Sequence, residues 1–267
     1  MDTISTPLHY EVISRLPAGE AHETPLLFVH GAWCAAWVWD EHFLPYFAER
    51  GYAAHALSLR GHGVSWGTTY LARIEDYVAD VALVARALPA PPVLIGHSMG
   101  GFLAQKYAER YGARALVLLA SVPPQGGLRA ILHTIARQPI DALRALARLN
   151  TRAFLDTPEK ARHHLYSRAM PETQLQRYAG RIEDESALWL LDIAGLTLPK
   201  VERIDAPVLV LGAAEDTLFT QVEVQATAAA YDAQCFILPN MAHNMMLESG
   251  WADAADIVVR WLRMVGV

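Results

Sequence analysis

Val93-Leu94-Ile95-Gly96-His97-Ser98-Met99-Gly100 runs from an apolar segment into a helix-like stretch over residues 101–111, and that context decides how the chain reads. A Gly-x-Ser-x-Gly string alone recurs by chance in many chains of this length. On a turn between a strand and a helix it acquires a physical meaning. The turn is sharp enough to strain the serine backbone, and only small residues two positions before and after it avoid a clash, which accounts for Gly96 and Gly100. The Ser98 hydroxyl is thereby lifted clear of the sheet.

Downstream, the strand-like run Val208-Leu209-Val210-Leu211-Gly212 leads into Ala213-Ala214-Glu215-Asp216, and Phe236-Ile237-Leu238 leads into Met241-Ala242-His243. An acid and a histidine therefore follow the serine, each just past an apolar run. Upstream, Leu26-Leu27-Phe28-Val29-His30-Gly31-Ala32-Trp33 ends an apolar run in a His-Gly turn, and Arg60-Gly61-His62-Gly63-Val64-Ser65 forms a second glycine-rich loop. These five motifs, in this order, resemble the α/β-hydrolase superfamily, in which nucleophile, acid and histidine follow one another along the chain. The resemblance extends from about Leu26 to the end of the sequence. It implies a mostly parallel central sheet flanked by helices, with the Leu26 run and its turn as oxyanion strand and loop.

Trp33, Trp37 and Trp39 further resemble the corresponding region of plant methylesterases and hydroxynitrile lyases. The lyases of that branch carry Thr after the first His of this loop and Lys directly after the catalytic His. Here those positions hold Gly31 and Asn244, which disfavours cyanohydrin cleavage. A second departure is Ser58, which stands where the related loop often carries an acid before Leu-Arg-Gly.

Short apolar runs alternate with longer amphipathic ones, the signature of βα units around a mostly parallel sheet. Strands are predicted at 9–14, 26–29, 53–59, 93–95, 115–120, 207–211 and 235–238. Ile74, Tyr77, Val78, Val81, Val84, Ala85 and Leu88 recur at helical spacing, as do Ala254, Ile257, Val258, Trp261, Leu262 and Val265 in a terminal helix. Between residues 122 and 199 the rhythm stops, and helix-like pieces rich in Leu, Ala and Arg are punctuated by Pro123-Pro124, Gly126-Gly127, Pro139, Pro158 and Pro171. The expected organisation is a core of residues 1–121 and 200–267, with 122–199 inserted as a helical cap where the resemblance places one. Arg129, Arg137, Arg144, Arg148 and Arg152 against Asp141 give that insertion a basic bias, read first as a solvated outer face, with attraction of anionic substrates as the lesser alternative.

The 267 residues are 53% hydrophobic and 19% charged, enough apolar surface for one large domain and no case for disorder. A net charge of −6 argues against nucleic acid as a partner, since a phosphate backbone repels it. No run is long enough for a membrane span, and Met1-Asp2-Thr3-Ile4-Ser5 does not open a leader segment, so a cytoplasmic setting is the expectation. Cys34 and Cys235 are too few for a disulfide framework and lack metal-ligand spacing, and His163-His164 reads as a surface pair rather than a metal site. No metal or cofactor is expected.

A serine hydroxyl is a weak nucleophile at neutral pH and needs a base within hydrogen-bond reach and an acid to orient that base. Ser98, His243 and Asp216 fill those roles, with Glu215 as the rival acid; the spacing of Asp216 after Gly212 resembles the family loop. Among the other histidines, His97 would point away from the Ser98 hydroxyl, His62 belongs to the glycine-rich loop, and His30 would brace the turn below the oxyanion site. The developing oxyanion needs preorganised donors, one of which is the Met99 N–H by the geometry of the turn. The resemblance places the second at the Ala32 N–H, with Trp33 as its neighbour. Trp33 is also a candidate lining residue of the acyl pocket, whereas Trp37 and Trp39 read as buried helix anchors.

The sequence therefore predicts a cofactor-independent serine esterase acting on small to medium, partly apolar carboxylic esters. C–C bond hydrolases, amidases, thioesterases and perhydrolases share this triad, and a ligand-binding protein that keeps a hydrolase pocket is an alternative of another class.

Overall fold

The structure is a computed structural model and describes residues 9–267; residues 1–5, read above for a leader segment, lie outside the described residues. Seven strands form one sheet: β1 (Val12–Arg15), β2 (Leu26–Val29), β3 (Ala54–Leu57), β4 (Val93–His97), β5 (Leu116–Leu119), β6 (Val208–Ala213) and β7 (Gln234–Leu238). Their spatial order is β1-β3-β2-β4-β5-β6-β7. Only β1 runs antiparallel, against β3, and every other pairing is parallel. All seven predicted strands are present, with ends displaced by at most three residues and β2 matching at both ends.

The four central strands β2, β4, β5 and β6 are buried along their whole length, as strands covered on both faces must be. Alternation sends Leu26 and Phe28 to one face and Leu27 and Val29 to the other. The first face packs on α1 (Trp37–Asp40), α2 (Phe43–Ala48) and the terminal helix α11 (Trp251–Met264), through Trp39, Phe43, Phe47 and Trp261. The second packs on α3 (Ile74–Ala87), α4 (Met99–Tyr111) and α10 (Gln221–Ala230), through Tyr77, Val81, Phe102 and Val224. Trp37 and Trp39 are both buried, the anchors their spacing suggested. β7 differs from the expectation of a buried strand at Cys235: it is the sheet edge, and residues 234–237 alternate between exposed and half-buried, with only Leu238 buried.

Between β5 and β6 the chain leaves the sheet for an all-helical insertion. It holds α5 (Leu128–Arg137), α6 (Pro139–Arg148), a 3₁₀ turn (Thr151–Phe154), α7 (Pro158–Leu165), α8 (Glu172–Ala179) and α9 (Trp189–Leu191), which runs into a π-type turn at Asp192–Leu196. The insertion is tied to the core by buried polar contacts. Asp192 accepts from the Ile74 N–H at 3.1 Å and pairs with Arg73 at 2.5 Å, holding the start of α3.

The strand order locates the site. After β2 the chain moves to β3 on one side, then returns to β4 on the other, so the sheet switches direction between β2 and β4. Parallel α/β sheets open a crevice at the carboxyl ends of strands at such a point. Val29 and Gly96 stand in register there, which brings the His30-Gly31 turn beside Ser98.

Candidate active site

Ser98 sits between β4 and α4 with φ 53° and ψ −120°, a left-handed conformation that costs a non-glycine residue about 1–3 kcal/mol. The surroundings hold it there. Its N–H donates to the Leu119 carbonyl, and its own carbonyl accepts from Val122 N–H, both at 3.1 Å. The flanking glycines are required by contact: a Cβ on Gly96 would lie 2.4 Å from the Gly100 carbonyl oxygen. Gly31 is equally constrained, since a Cβ there would lie 2.9 Å from Ser98 Cβ. The oxyanion loop and the serine are thus in direct apposition.

The loops after β6 and β7 bring Asp216 and His243 together. His243 Nδ1 and Asp216 Oδ2 are 2.8 Å apart, and both side chains are sealed from solvent. The other oxygen, Asp216 Oδ1, accepts from the N–H groups of Leu218 at 2.8 Å and Phe219 at 3.1 Å. With Asp216 accepting, Nδ1 carries the imidazole proton, and Nε2 is left as an acceptor. Nε2 is buried and has no hydrogen-bond partner among the described residues, so the Ser98 hydroxyl is not bonded to it in this structure. Such catalytic hydrogen bonds are often long in unliganded sites and tighten when substrate binds. Glu215 is exposed, and its carboxylate accepts from the Arg168 N–H at 3.4 Å, away from the histidine.

His97 turns down from the serine, its Nε2 3.0 Å from the His243 carbonyl oxygen and its ring 4.7 Å from the His243 ring. Burial, and then the neighbouring His243, hold its pKa well below the usual value, so it stays neutral. His30 lies beneath the oxyanion turn. Its Nδ1 donates to the Gly31 carbonyl at 2.7 Å and its Nε2 accepts from Leu59 N–H at 3.0 Å. Met99 opens α4, so its N–H is one of the unsatisfied donors of that helix end. Neither it nor the Ala32 N–H donates to a backbone carbonyl among the described residues.

Trp33 joins this loop to the insertion. Its φ of 63° is unusual for so large a side chain, and three contacts determine it. The Trp33 carbonyl accepts from Glu183 N–H at 2.9 Å, the indole N–H donates to Thr151 Oγ1 at 2.8 Å, and the ring meets Trp189 edge to face. Beside it, His62 Nε2 and Glu185 Oε2 lie 3.2 Å apart with both side chains fully buried, and Tyr77 donates to Glu185 Oε1 at 2.7 Å. Burial, the largest single influence, lowers the His62 pKa, but the Glu185 charge and hydrogen bond, the Glu183 charge and the Arg60 carbonyl together outweigh it and the net shift is upward. Cys34, next in the chain, has its thiol pushed up to about 12 by burial and by the Glu183 and Glu185 charges, and is inert as a nucleophile at neutral pH.

Sequence reading missed the Glu185–His62 and Thr151–Trp33 pairs because their members are more than 100 positions apart and carry no motif. It also left Ser58 unexplained. There the acid comes from Glu11: Ser58 Oγ donates to Glu11 Oε2 at 2.5 Å and accepts from the Ala36 N–H at 2.9 Å, so a short side chain plus a distant carboxylate fills the site. One expectation is corrected. His164 is buried rather than on the surface, with Nε2 2.9 Å from Gln138 Nε2, because α7 turns it inward; His163 alone is exposed.

Buried neutral histidines predict the acid side of the stability curve. His30 is lowered to about 3 by burial and then by His62, while burial lowers His55 to about 4 and, with nearby cationic groups, His164 to about 4. The unfolded chain binds these protons below pH 6.5 and the folded chain does not. Stability is therefore full above 6.5 and falls toward pH 4, by about 1.4 kcal/mol per pH unit for each group. The raised His62 has the opposite sign, its contribution being present below 6.5 and fading as pH rises through its folded value. Urea midpoints measured between pH 7.5 and 4.5 should fall steeply below 6.5, and His55→Asn should flatten the slope by about one proton. A slope unchanged in His55→Asn would contradict this.

A crevice at the switch point of a mostly parallel sheet, with a strained serine on a strand-to-helix turn, defines an α/β-hydrolase architecture. The sequence profile of the alpha/beta hydrolase family matches residues 26–259, and the chain belongs to that family. It is 36% identical over 104 residues to a non-heme haloperoxidase of Rhodococcus erythropolis, covering 38% of each chain. To a pimeloyl-[acyl-carrier protein] methyl ester esterase of Chromobacterium violaceum it is 29% identical over 167 residues, covering 52% of this chain and 64% of that one. The matches thus span less than two thirds of these relatives' lengths. A solved thermophilic esterase from Thermogutta terrifontis superposes with a TM-score of 0.74 at 20% identity, over 98% of this chain and 97% of that one.

Proposed function

We propose that the protein is a serine hydrolase that cleaves carboxylic esters of small to medium, partly apolar substrates through an acyl-enzyme. Ser98 attacks the ester carbonyl while His243 Nε2 takes its proton. Asp216 holds the Nδ1 tautomer and stabilises the imidazolium, and the Met99 and Ala32 N–H groups receive the oxyanion. His243 then returns the proton to the leaving alcohol, and a water repeats the cycle to release the acid. Residues 122–199 act as a cap over this site, with Trp33 at the junction between the cap and the acyl pocket. Cys34 and Cys235 are both free thiols, which fits the cytoplasmic setting.

One observation carries the reading: the Asp216–His243 pair leaves a buried acceptor at Nε2 with no partner among the described residues, and the strained Ser98 directly follows His97, whose ring lies 4.7 Å from that of His243. An orphaned buried acceptor costs about 1–3 kcal/mol. In the proposed reaction that lone pair takes the Ser98 proton. The ester as substrate is supported by relatives named as esterases, and no helix among the described residues is long and apolar enough to cross a membrane.

Mixed rapidly with a short p-nitrophenyl ester, the protein should release nitrophenolate in a burst equal to the enzyme concentration, followed by slower turnover. Absence of turnover across a panel varying acyl size, alcohol size, thioester and amide would remove the esterase reading. The second reading is perhydrolysis, favoured by the haloperoxidase name of one relative. In that case acetate and hydrogen peroxide together, and neither alone, would oxidise bromide.

A further inference from the structure

We propose that Glu185 is a positioning residue for the oxyanion site: through an ion pair with His62 it anchors the segment of the insertion that holds Trp33, and with it the Ala32 N–H, in place beside Ser98. This role rests on the hydrolytic reading and deepens it. Ala32 lies between two fixed neighbours. Gly31 is pressed against Ser98, and Trp33 has a left-handed backbone that a large side chain keeps only where its surroundings enforce it. All three contacts that enforce it, from the Glu183 N–H, Thr151 Oγ1 and the Trp189 ring, come from the insertion. Thr151 depends in turn on Glu185, since its N–H and its hydroxyl both donate to the Glu185 carbonyl, at 2.8 and 3.3 Å.

The Glu185 side chain fixes this segment to the core. Its Oε1 accepts from the Tyr77 hydroxyl at 2.7 Å and from the Ser186 N–H at 2.9 Å. Its Oε2 faces His62 Nε2 at 3.2 Å with both side chains sealed from solvent, and neither atom has an aligned hydrogen bond among the described residues. His62 Nδ1 lies 3.1 Å from the Arg60 carbonyl, which can only accept, so Nδ1 carries a proton. A neutral imidazole would therefore turn the Nε2 lone pair toward a carboxylate lone pair, across a gap too short to admit water. The arrangement requires a second proton, which makes His62 an imidazolium and the contact a buried ion pair. The surrounding charges favour this. Glu183 brings a second carboxylate to the loop, accepting from the Gly63 N–H at 2.8 Å, while the Arg60 guanidinium is engaged by Asp76 and Asp80. His30, its ring centre 5.0 Å from that of His62, is neutral. Removing one partner of a buried pair leaves the other uncompensated, so the anchor should fail when Glu185 is truncated.

In protein labelled with nitrogen-15 at histidine, both His62 ring nitrogens should be protonated at about pH 7.5, where an ordinary histidine is mostly neutral. Glu185→Gln should make His62 neutral yet keep the anchor, because the amide N–H donates to Nε2 and the amide oxygen still accepts from Tyr77 and Ser186. Its kcat on a short soluble ester should stay within about threefold of wild type. Glu185→Leu should lower kcat about a hundredfold with KM changed less than about threefold, the signature of a misplaced oxyanion donor rather than of lost binding. Thr151→Val, which removes the acceptor of the Trp33 indole without touching a charge, should lower kcat about tenfold in the same way, and decides the matter if near-ultraviolet dichroism shows Glu185→Leu unfolded. An unchanged kcat in Thr151→Val or in folded Glu185→Leu would overturn the proposal, as would a neutral His62 in the wild type. Wild-type turnover with unaffected variants sinks this role alone, whereas a wild type with no turnover removes the hydrolytic reading and this role with it.

Discussion

Ser98→Ala is expected to lower ester turnover by about a millionfold and to abolish labelling by a fluorophosphonate, with the fold intact. The expectation rests on chemistry that no neighbour can replace. The Cys34 thiol is held protonated, and the exposed Glu215 carboxylate points to Arg168 rather than into the site. Residual rate over water would come only from the Met99 and Ala32 donors and from substrate binding, about a thousandfold. The substitution should also raise stability slightly, because alanine at φ 53° is strained like serine but leaves no buried hydroxyl to desolvate. Equal labelling of Ser98→Ala and wild type would show that the elbow serine is not the nucleophile.

Asp216→Asn should lower turnover about ten-thousandfold while substrate affinity changes little. The carboxylate accepts the His243 Nδ1 proton and two backbone N–H groups, from Leu218 and Phe219. An amide can keep the backbone contacts through its oxygen, but its NH₂ group then faces Nδ1 and stabilises the tautomer with the proton on Nε2. That tautomer cannot accept from serine. Glu215→Gln should leave turnover within about twofold, since its carboxylate serves only as a surface partner of the Arg168 N–H. A larger loss from Glu215→Gln than from Asp216→Asn would exchange the roles of the two acids.

The elements that position this chemistry differ in how much of them could be read in advance. Local signals were strong at Gly96-His97-Ser98-Met99-Gly100, because the backbone conformation of a tight turn demands small residues at fixed offsets whatever lies around it. The unbroken apolar run Leu26-Leu27-Phe28-Val29, which marks a strand covered on both faces, and the helical period from Ile74 to Leu88 were equally legible, since each reports how its own element is buried. At the acid the local signal stopped short. Glu215 and Asp216 are adjacent carboxylates, and only the path of the loop toward Leu218 and Phe219 aims one at His243 and the other at solvent. The insertion was legible as helix but not as surface: the same period that marks an inward face on α3 marks an outward one on α5 and α6.

Taken alone, the sequence determined the architecture and the order of the motifs and singled out Ser98 and His243 as candidates, because periodicity and turn chemistry are properties of a few neighbouring residues. Tertiary structure decided which acid meets the imidazole and how Glu11 stands in at Ser58. It also decided how Glu185 and Thr151 lock the insertion to His62 and Trp33, and which side of α5 and α6 faces water. Those are contacts between residues far apart in the chain, and their energies depend on burial and distance, which no local pattern records.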